Sequence, residues 1–305
     1  MSFRPEQLHC IAVVSNPMRY QSRYRLYSEF KTRMIQQGVH LVTVEVAFGD
    51  RHFEITRPDD PDNIQLVTDH EIWHKENMIN LGIQRLPLDW EYVAWIDTDL
   101  QFCNPNWATE TIHALQHHKV VQLFETAIDL GPKGEPMTSH KGFMYSYRHG
   151  LSRNFKLYPT WHPGYAWAAT REAIDGLGGL IDRAALGSGD HHMALSLIGQ
   201  GVSSMPGEIS PNYTAMIVDW QENAKYYIGD RVGYLPGTIV HYFHGKKRER
   251  NYQGRWQILL KQKFDPYIDL CLDSQGLLQF SRHGERLRTD FQSYFSSRNE
   301  DSIDL

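Results

Sequence analysis

The stretch Glu91-Tyr92-Val93-Ala94-Trp95-Ile96-Asp97-Thr98-Asp99-Leu100-Gln101-Phe102 decides how the chain is read. It opens with a short unbroken run of β-branched, aromatic and apolar side chains, as a strand covered on both faces does. Two carboxylates follow, one residue apart. In open α/β sheets ligands gather beyond the carboxyl ends of the strands, so Asp97 and Asp99 stand where a site is expected. Two hard oxygen ligands there can hold a divalent cation, and such a cation neutralises a diphosphate. An Asp-x-Asp pair also occurs as plain turn formers or solvated loop residues. The buried run before it is what favours chemistry.

The segments on either side suit a layered α/β chain. Ile11 to Pro17 reads as a buried first strand ended by a turn. From Ser22 to Gln37, Tyr24, Tyr27, Phe30, Met34 and Ile35 recur at helical spacing up to Gly38, and His40 to Phe48 reads as a second strand. Right-handed crossover then makes the two strands parallel. Arg19 and Arg23 follow the first strand and are candidates for phosphate or base contact, although arginines at a helix start are also commonly solvated. Residues 57–63 form a polar loop. A helix from Thr68 to Gly82 carries Lys75 and Asn77, which either face a nucleotide or are ordinary surface residues. Trp107 to His117 reads as a helix, Lys119 to Phe124 as a strand, and residues 129–153 as a long loop able to cover a site.

Three later stretches carry chemistry. In Trp161-His162-Pro163-Gly164-Tyr165-Ala166-Trp167-Ala168-Ala169, Gly164 allows a ligand close to the backbone and Tyr165 to Ala169 suits a strand. Leu186-Gly187-Ser188-Gly189-Asp190-His191-His192 is a Gly-rich turn that delivers Asp190 to the start of an apolar helix, as a cap or as a group held against a ligand. A β-rich run from Gly237 ends in His241 and His244 and opens into Lys246, Lys247, Arg248 and Arg250. Imidazole can complete a carboxylate metal site, and the basic run suits a phosphate clamp unless it is simply solvated. Three positions apart across a strand end, the two histidines need not point the same way, so both are candidates. A helix from Trp256 to Phe264 and a hairpin about Asp273-Ser274-Gln275-Gly276 complete a single domain over residues 1–280, and residues 281–305 read as a polar tail.

Composition excludes several classes. The formal charge of −5 argues against a protein that works by covering nucleic acid with positive surface. Cys10, Cys103 and Cys271 are far apart and lack Cys-x-x-Cys spacing, so neither a disulfide framework nor a zinc ribbon is expected. No run approaches the ~20 apolar residues of a membrane span. The chain reads as cytoplasmic, with no membrane partner.

Taken together, Asp97-Thr98-Asp99, the strand from Gly164 to Ala169, the turn Gly187-Ser188-Gly189-Asp190, and His241-Tyr242-Phe243-His244-Gly245 resemble in order and spacing the GT-A glycosyltransferases, which are nucleotide-sugar-dependent enzymes. The likeness covers most of residues 10–265. It is closest in kind to the galactosyltransferase-type branch, in which a Gly-rich turn bears an acidic base; that branch more often has consecutive acids where this chain has Asp190, His191 and His192. The resemblance implies a Rossmann-like α/β/α sandwich with a mixed, mainly parallel central sheet. It implies a divalent cation (Mn²⁺ or Mg²⁺) and a nucleoside-diphosphate sugar, foremost a UDP-sugar, as donor. The acceptor hydroxyl would belong to a glycan, a protein or a small molecule, a modified nucleic-acid base being disfavoured by the acidic chain. On the same resemblance Asp97, Asp99 and His241 or His244 hold the metal, and Asp190 is the base, which leans toward inversion. Arg19, Arg23, Lys75, Asn77, Asp97, Thr98, Gly164, Trp167, Gly245, Lys246 and Lys247 would surround the donor, and Trp161 or Trp167 either packs on a sugar face or belongs to the core. Two readings compete. A metal-dependent nucleotidyltransferase needs a Gly-rich triphosphate loop that Asn16-Pro17-Met18-Arg19 does not provide. A non-enzymatic carbohydrate-binding protein with Ca²⁺ is poorly matched by paired histidines, because Ca²⁺ prefers oxygen.

Overall fold

Alternation along the first strand sets the layers. In β1 (Leu8–Ser15) the side chains of Leu8, Cys10, Ala12 and Val14 enter one apolar core while Ile11 and Val13 face another. A strand apolar on both faces needs helices on both sides, and the computed structural model, which describes residues 4–151, 161–250 and 254–303 with Lys247 and Arg248 in backbone only, supplies them. On one face α1 (Gln21–Gln36) brings Tyr27, Phe30 and Met34. It stops where the sequence predicts, with Gly38 at φ 71°. β2 (His40–Phe48) lies parallel to β1, and β3 (Asn63–Thr68) parallel to β2.

The chain then crosses to the opposite face through α2 (Lys75–Gln84), burying Met78, Ile79 and Ile83, and returns as β4 (Tyr92–Ile96) on the other side of β1. Next come β5 (Leu100–Phe102), α3 (Trp107–Leu115), β6 (Val120–Gln122), β7 (Thr126–Leu130), β8 (Pro136–Gly142) and α4 (Phe143–Arg148). They are followed by β9 (Trp161–His162), β10 (Ala166–Thr170), α5 (Arg171–Leu177), α6 (Gly189–Ser196), α7 (Pro211–Asn223), β11 (Val232–Tyr234) and β12 (Thr238–His241). The chain closes with α8 (Gly254–Lys261), β13 (Leu270–Leu272), β14 (Leu278–Phe280) and α9 (Arg288–Ser296).

The main sheet runs β11-β6-β10-β4-β1-β2-β3, with β10 antiparallel to its neighbours and the remaining pairs parallel. This is the mixed, mainly parallel sheet between helices expected from the sequence. A second sheet, β5-β12-β7-β8-β9, packs beside it. Among the described residues no helix is long and apolar enough to cross a membrane.

Three expectations fail, each for a tertiary reason. Residues 129–153 are not one loop: their described part contains β8 and α4. The exposed, polar β8 has no apolar periodicity to announce it, and it exists because β7 offers an edge. The helix expected from Thr68 begins only at Lys75, because Thr68 still pairs with Phe48 in the sheet. The third concerns residues 281–305, whose described part is no polar tail. α9 buries Phe291, Tyr294 and Phe295, and the Phe291 ring meets Phe280 edge-on at 5.2 Å. Its apolar residues are too few to stand out among polar neighbours, but they fall on one face.

Phe291→Ala is therefore expected to cost about 3–5 kcal/mol in urea denaturation, as deletion of a buried ring does. A frayed tail would show almost no change.

Candidate active site and metal centre

β1 is followed by strands that spread to one side, whereas β4 lies on the other, so the carboxyl ends of β1 and β4 form a topological switch point. A cleft of about 730 Å³ opens there. Asn16 and Pro17 after β1, Asp97, Thr98 and Asp99 after β4, Gly164 and Tyr165 before β10, Asp190 on α6, and His241 and His244 all line it.

Backbone pairing presents the two acids. The Asp97 amide donates to the Tyr165 carbonyl (2.8 Å), and the Tyr242 amide donates to the Asp99 carbonyl (2.8 Å). Tyr165 takes φ 77°, an uncommon backbone for an aromatic residue, held by its neighbours. Because β12 runs antiparallel to β5 and parallel to β7, His241 lies opposite both Leu100 and Asp129. That register sets its imidazole beside Asp99.

Asp99, His241 and His244 each turn one ligand atom toward a common point, the three atoms lying within 4.8 Å of one another. His244 Nε2 is 2.8 Å and His241 Nε2 3.6 Å from Asp99 Oδ2. Burial opposes charge on Asp99, yet the two imidazoles hold it well below the usual carboxylate range. Burial likewise opposes charge on His241, but Asp99 and the hydrogen bond to Asp129 push it up to about 9. His244 is lowered, by burial and then by Arg250, and so favours the neutral form that binds metals.

A carboxylate with two imidazoles is a donor set suited to Mn²⁺ and similar ions, and Asp99 Oδ1 is buried without a hydrogen-bond partner, so the residues fit a divalent cation. His241 Nδ1 lies 2.9 Å from Asp129 Oδ1, the carboxylate–imidazole pairing that orients metal-binding histidines. His244 Nε2 also receives Arg250 Nη2 at 3.0 Å, and a cation taking that lone pair would displace the guanidinium.

Asp97 belongs to a different group. Lys75 Nζ sits between Asp97 Oδ1 (2.6 Å) and Asp190 Oδ2 (3.1 Å). Burial pushes Asp97 up to about 6 against the pull of Lys75. Burial opposes charge on Lys75 too, but Asp190 and Asp97 hold it well above its ordinary value. Asp190 lies in the first turn of α6, whose cap position is taken by Ser188. A Cβ at Gly164 would stand 2.6 Å from Asp190 Oδ2, so this glycine makes room for the carboxylate itself. Behind the trio, Glu76 is 2 % exposed and its carboxyl is pushed up to about 8 by burial and then by Asp190.

Of the other expected residues, Arg23 and Thr98 line the cleft. Arg19 does not; it is turned to the surface and paired with Glu54 at 2.9 Å. Asn77 faces away, donating to the Gly276 carbonyl (3.2 Å) and accepting from the Leu278 amide (3.0 Å), because its position on α2 meets the β13–β14 hairpin. Trp167 is core, its indole bonded to the Pro163 carbonyl at 2.8 Å, whereas Trp161 is buried against the cleft. Gly245 lies off the cleft: a Cβ there would meet Asn299 O at 2.8 Å and Glu300 Cα at 2.9 Å, so it admits the segment after α9. Lys246 does not line the cleft either, and the side chains of Lys247 and Arg248 lie outside the described residues.

Sequence reading missed Glu76, Asp129, Tyr165, Arg298 and Glu300. Two carried a signal: Glu76 adjoins Lys75, and Tyr165 follows Gly164. The others reach the site only through strand pairing or chain return.

No family profile matches the sequence, and no curated protein matches it. Among solved structures it is similar to a Drosophila β1,4-galactosyltransferase 7 mutant in complex with manganese, UDP-Gal and xylobiose, at 12 % identity and a TM-score of 0.42, covering 90 % of this chain and 94 % of that one. It is also similar to S. aureus TarS (10 % identity, TM-score 0.42), with 77 % of this chain and 60 % of that chain covered. The third, 4-diphosphocytidyl-2C-methyl-D-erythritol synthase from Anaerococcus prevotii, shows 11 % identity, a TM-score of 0.34 and coverage of 75 % and 86 %. These likenesses are coarse, with every TM-score below 0.5.

Two outcomes follow from the geometry. His241→Ala and His244→Ala should each weaken Mn²⁺ binding by calorimetry, whereas Asp97→Asn should leave it largely intact. Glu76 keeps its proton in the fold to about pH 8 but releases it near 4.5 when unfolded. Between those values the native state binds more protons, so its contribution to stability is present below 4.5 and lost as pH rises through 8. The melting temperature of Glu76→Gln should therefore gain on the unsubstituted protein between pH 5 and pH 8.

Proposed function

We infer that the chain is a metal-dependent glycosyltransferase, moving a sugar from a nucleoside-diphosphate sugar, foremost a UDP-sugar, to the hydroxyl of a saccharide acceptor with inversion. The observation that carries this reading is the meeting, in one cleft, of the Asp99–His241–His244 group with a carboxylate, Asp190, held separately by Lys75. A divalent cation held by the first group, of the expected pair Mn²⁺ rather than the oxygen-preferring Mg²⁺, would offset charge on the departing diphosphate. Arg23, at the start of α1, lines the same cleft with its guanidinium paired to Glu300.

Asp190 acts on the acceptor. Its carboxylate takes the hydroxyl proton as the acceptor oxygen bonds to the anomeric carbon, and the bond from that carbon to the phosphate oxygen breaks with its electron pair going to the diphosphate. Lys75 keeps Asp190 oriented through the reaction. Attack from the face opposite the leaving group inverts the anomeric centre.

A panel of nucleotide sugars with Mn²⁺, read by release of nucleoside diphosphate in the presence of saccharides, tests the reading. Asp190→Asn is expected to lower transfer by roughly 10²–10⁴-fold, the worth of a general base. Asp99→Ala should abolish both Mn²⁺ binding and turnover. Release of pyrophosphate in place of nucleoside diphosphate would mark a nucleotidyltransferase instead.

A further inference from the structure

The segment that follows α9 returns to the metal centre from behind. Glu300 is 1 % exposed. Its carboxylate is gripped by Arg23, with Nη2 at 2.9 Å from Oε1 and Nε against Oε2, and by Arg298. Oε2 also stands 3.4 Å from His244 Nδ1, the ring nitrogen opposite the one that faces Asp99. That contact is long and poorly aligned for a hydrogen bond, and Nδ1 has no other hydrogen-bond partner, so the interaction is electrostatic as it stands. Burial opposes charge on Glu300, but Arg23 and Arg298 hold it well below the usual carboxylate range.

Several independent features fix this segment in place. Asp301 caps α1, accepting from the Gln21 and Ser22 amides at 2.9 and 2.7 Å. Ser22 Oγ donates to the Glu300 carbonyl (2.9 Å), and the Asn299 amide donates to Tyr20 Oη (3.0 Å). Gly245 is required for the approach, since any Cβ would strike the backbone of Asn299 and Glu300.

We propose that Glu300 is a positioning residue of the metal centre: it orients the His244 imidazole through Nδ1 so that Nε2 faces the cation. It also cancels the charge of Arg23 and Arg298, which would otherwise oppose a cation next to them. His241 is backed by a hydrogen bond with Asp129 at 2.9 Å, so each metal-facing imidazole has a carboxylate from a different part of the chain at its other ring nitrogen, the Glu300 contact being the longer one at 3.4 Å. This rests on the metal reading above and adds to it a residue nearly sixty positions downstream of His244.

The test is calorimetric Mn²⁺ binding to the full chain, supported by the visible ligand-field spectrum of the Co²⁺ form. Glu300→Gln keeps the side-chain shape and removes the charge. It is expected to weaken Mn²⁺ on the order of 10–100-fold and to shift the Co²⁺ spectrum, as outer-shell carboxylate substitutions do. Asp301→Asn loosens the same segment without touching an imidazole, and should lower the melting temperature while Mn²⁺ affinity stays close to that of the unsubstituted protein. A folded Glu300→Gln protein with unchanged Mn²⁺ affinity and spectrum, alongside loss of binding in Asp99→Ala, overturns the role of Glu300 and leaves the metal reading standing. Equal loss of affinity in Asp301→Asn would also overturn it, because docking alone would then account for the effect. Absence of binding by the unsubstituted protein overturns both.

Discussion

The hydrogen-bond ladder that clamps β12 between β5 and β7 is the constraint on which the site depends. It sets His241 across from Leu100 and Asp129 at once, and carries the Tyr242 amide to the Asp99 carbonyl. Side chains alternate along a strand, so a slip of one residue would turn the imidazole to the other face and empty the metal group. The position is therefore held by backbone pairing along two neighbouring strands, with Asp129 on one of them bonding the ring. Side chains carried on paired strands are placed more precisely than side chains on loops.

Charge is sorted into two neighbouring clusters around the cleft. Asp99 meets imidazoles, whereas Asp97 and Asp190 meet Lys75. Buried charges persist only when paired, and the pairing here is nearly complete. What remains unpaired is informative: Asp99 Oδ1 has no partner, and burial, then Asp190, pushes the Glu76 carboxyl up to about 8 against the pull of Lys75. The first cluster has the donor set of a cation site, and the second holds the Asp190 carboxylate against Lys75 at the cleft. The two acids of a single Asp-x-Asp segment are thus divided between the clusters, Asp99 with the imidazoles and Asp97 with Lys75.

The fold was legible where apolar periodicity is strong. β1, α1, β2, β4 and the turn before α6 all follow from hydrophobic pattern and glycine placement. The candidate site was legible where chemistry-bearing residues sit at strand ends and a helix start: Asp97, Asp99, Asp190, His241 and His244 all line the cleft, although Asp97, expected as a metal ligand, pairs with Lys75 instead. Failures came where facing decides. Asn77 and Trp167 lie in the right segments but point into the β13–β14 hairpin and the core, while Lys75, two positions before Asn77, turns to the cleft. Arg19, in the turn before α1, and Arg23, four positions on and within it, likewise divide between the surface and the cleft. Glu300 had no signal of its own, since its meaning arises only when Tyr20, Arg23 and Gly245 come together in space.

Gly245 and Asn299 touch backbone to backbone, and this contact joins the loop bearing His244 to residues close to Leu305. A side chain of any size at Gly245 would act as a wedge between that loop and the Asn299–Glu300 backbone, and the carboxylate paired with Arg23 would be pushed out with it.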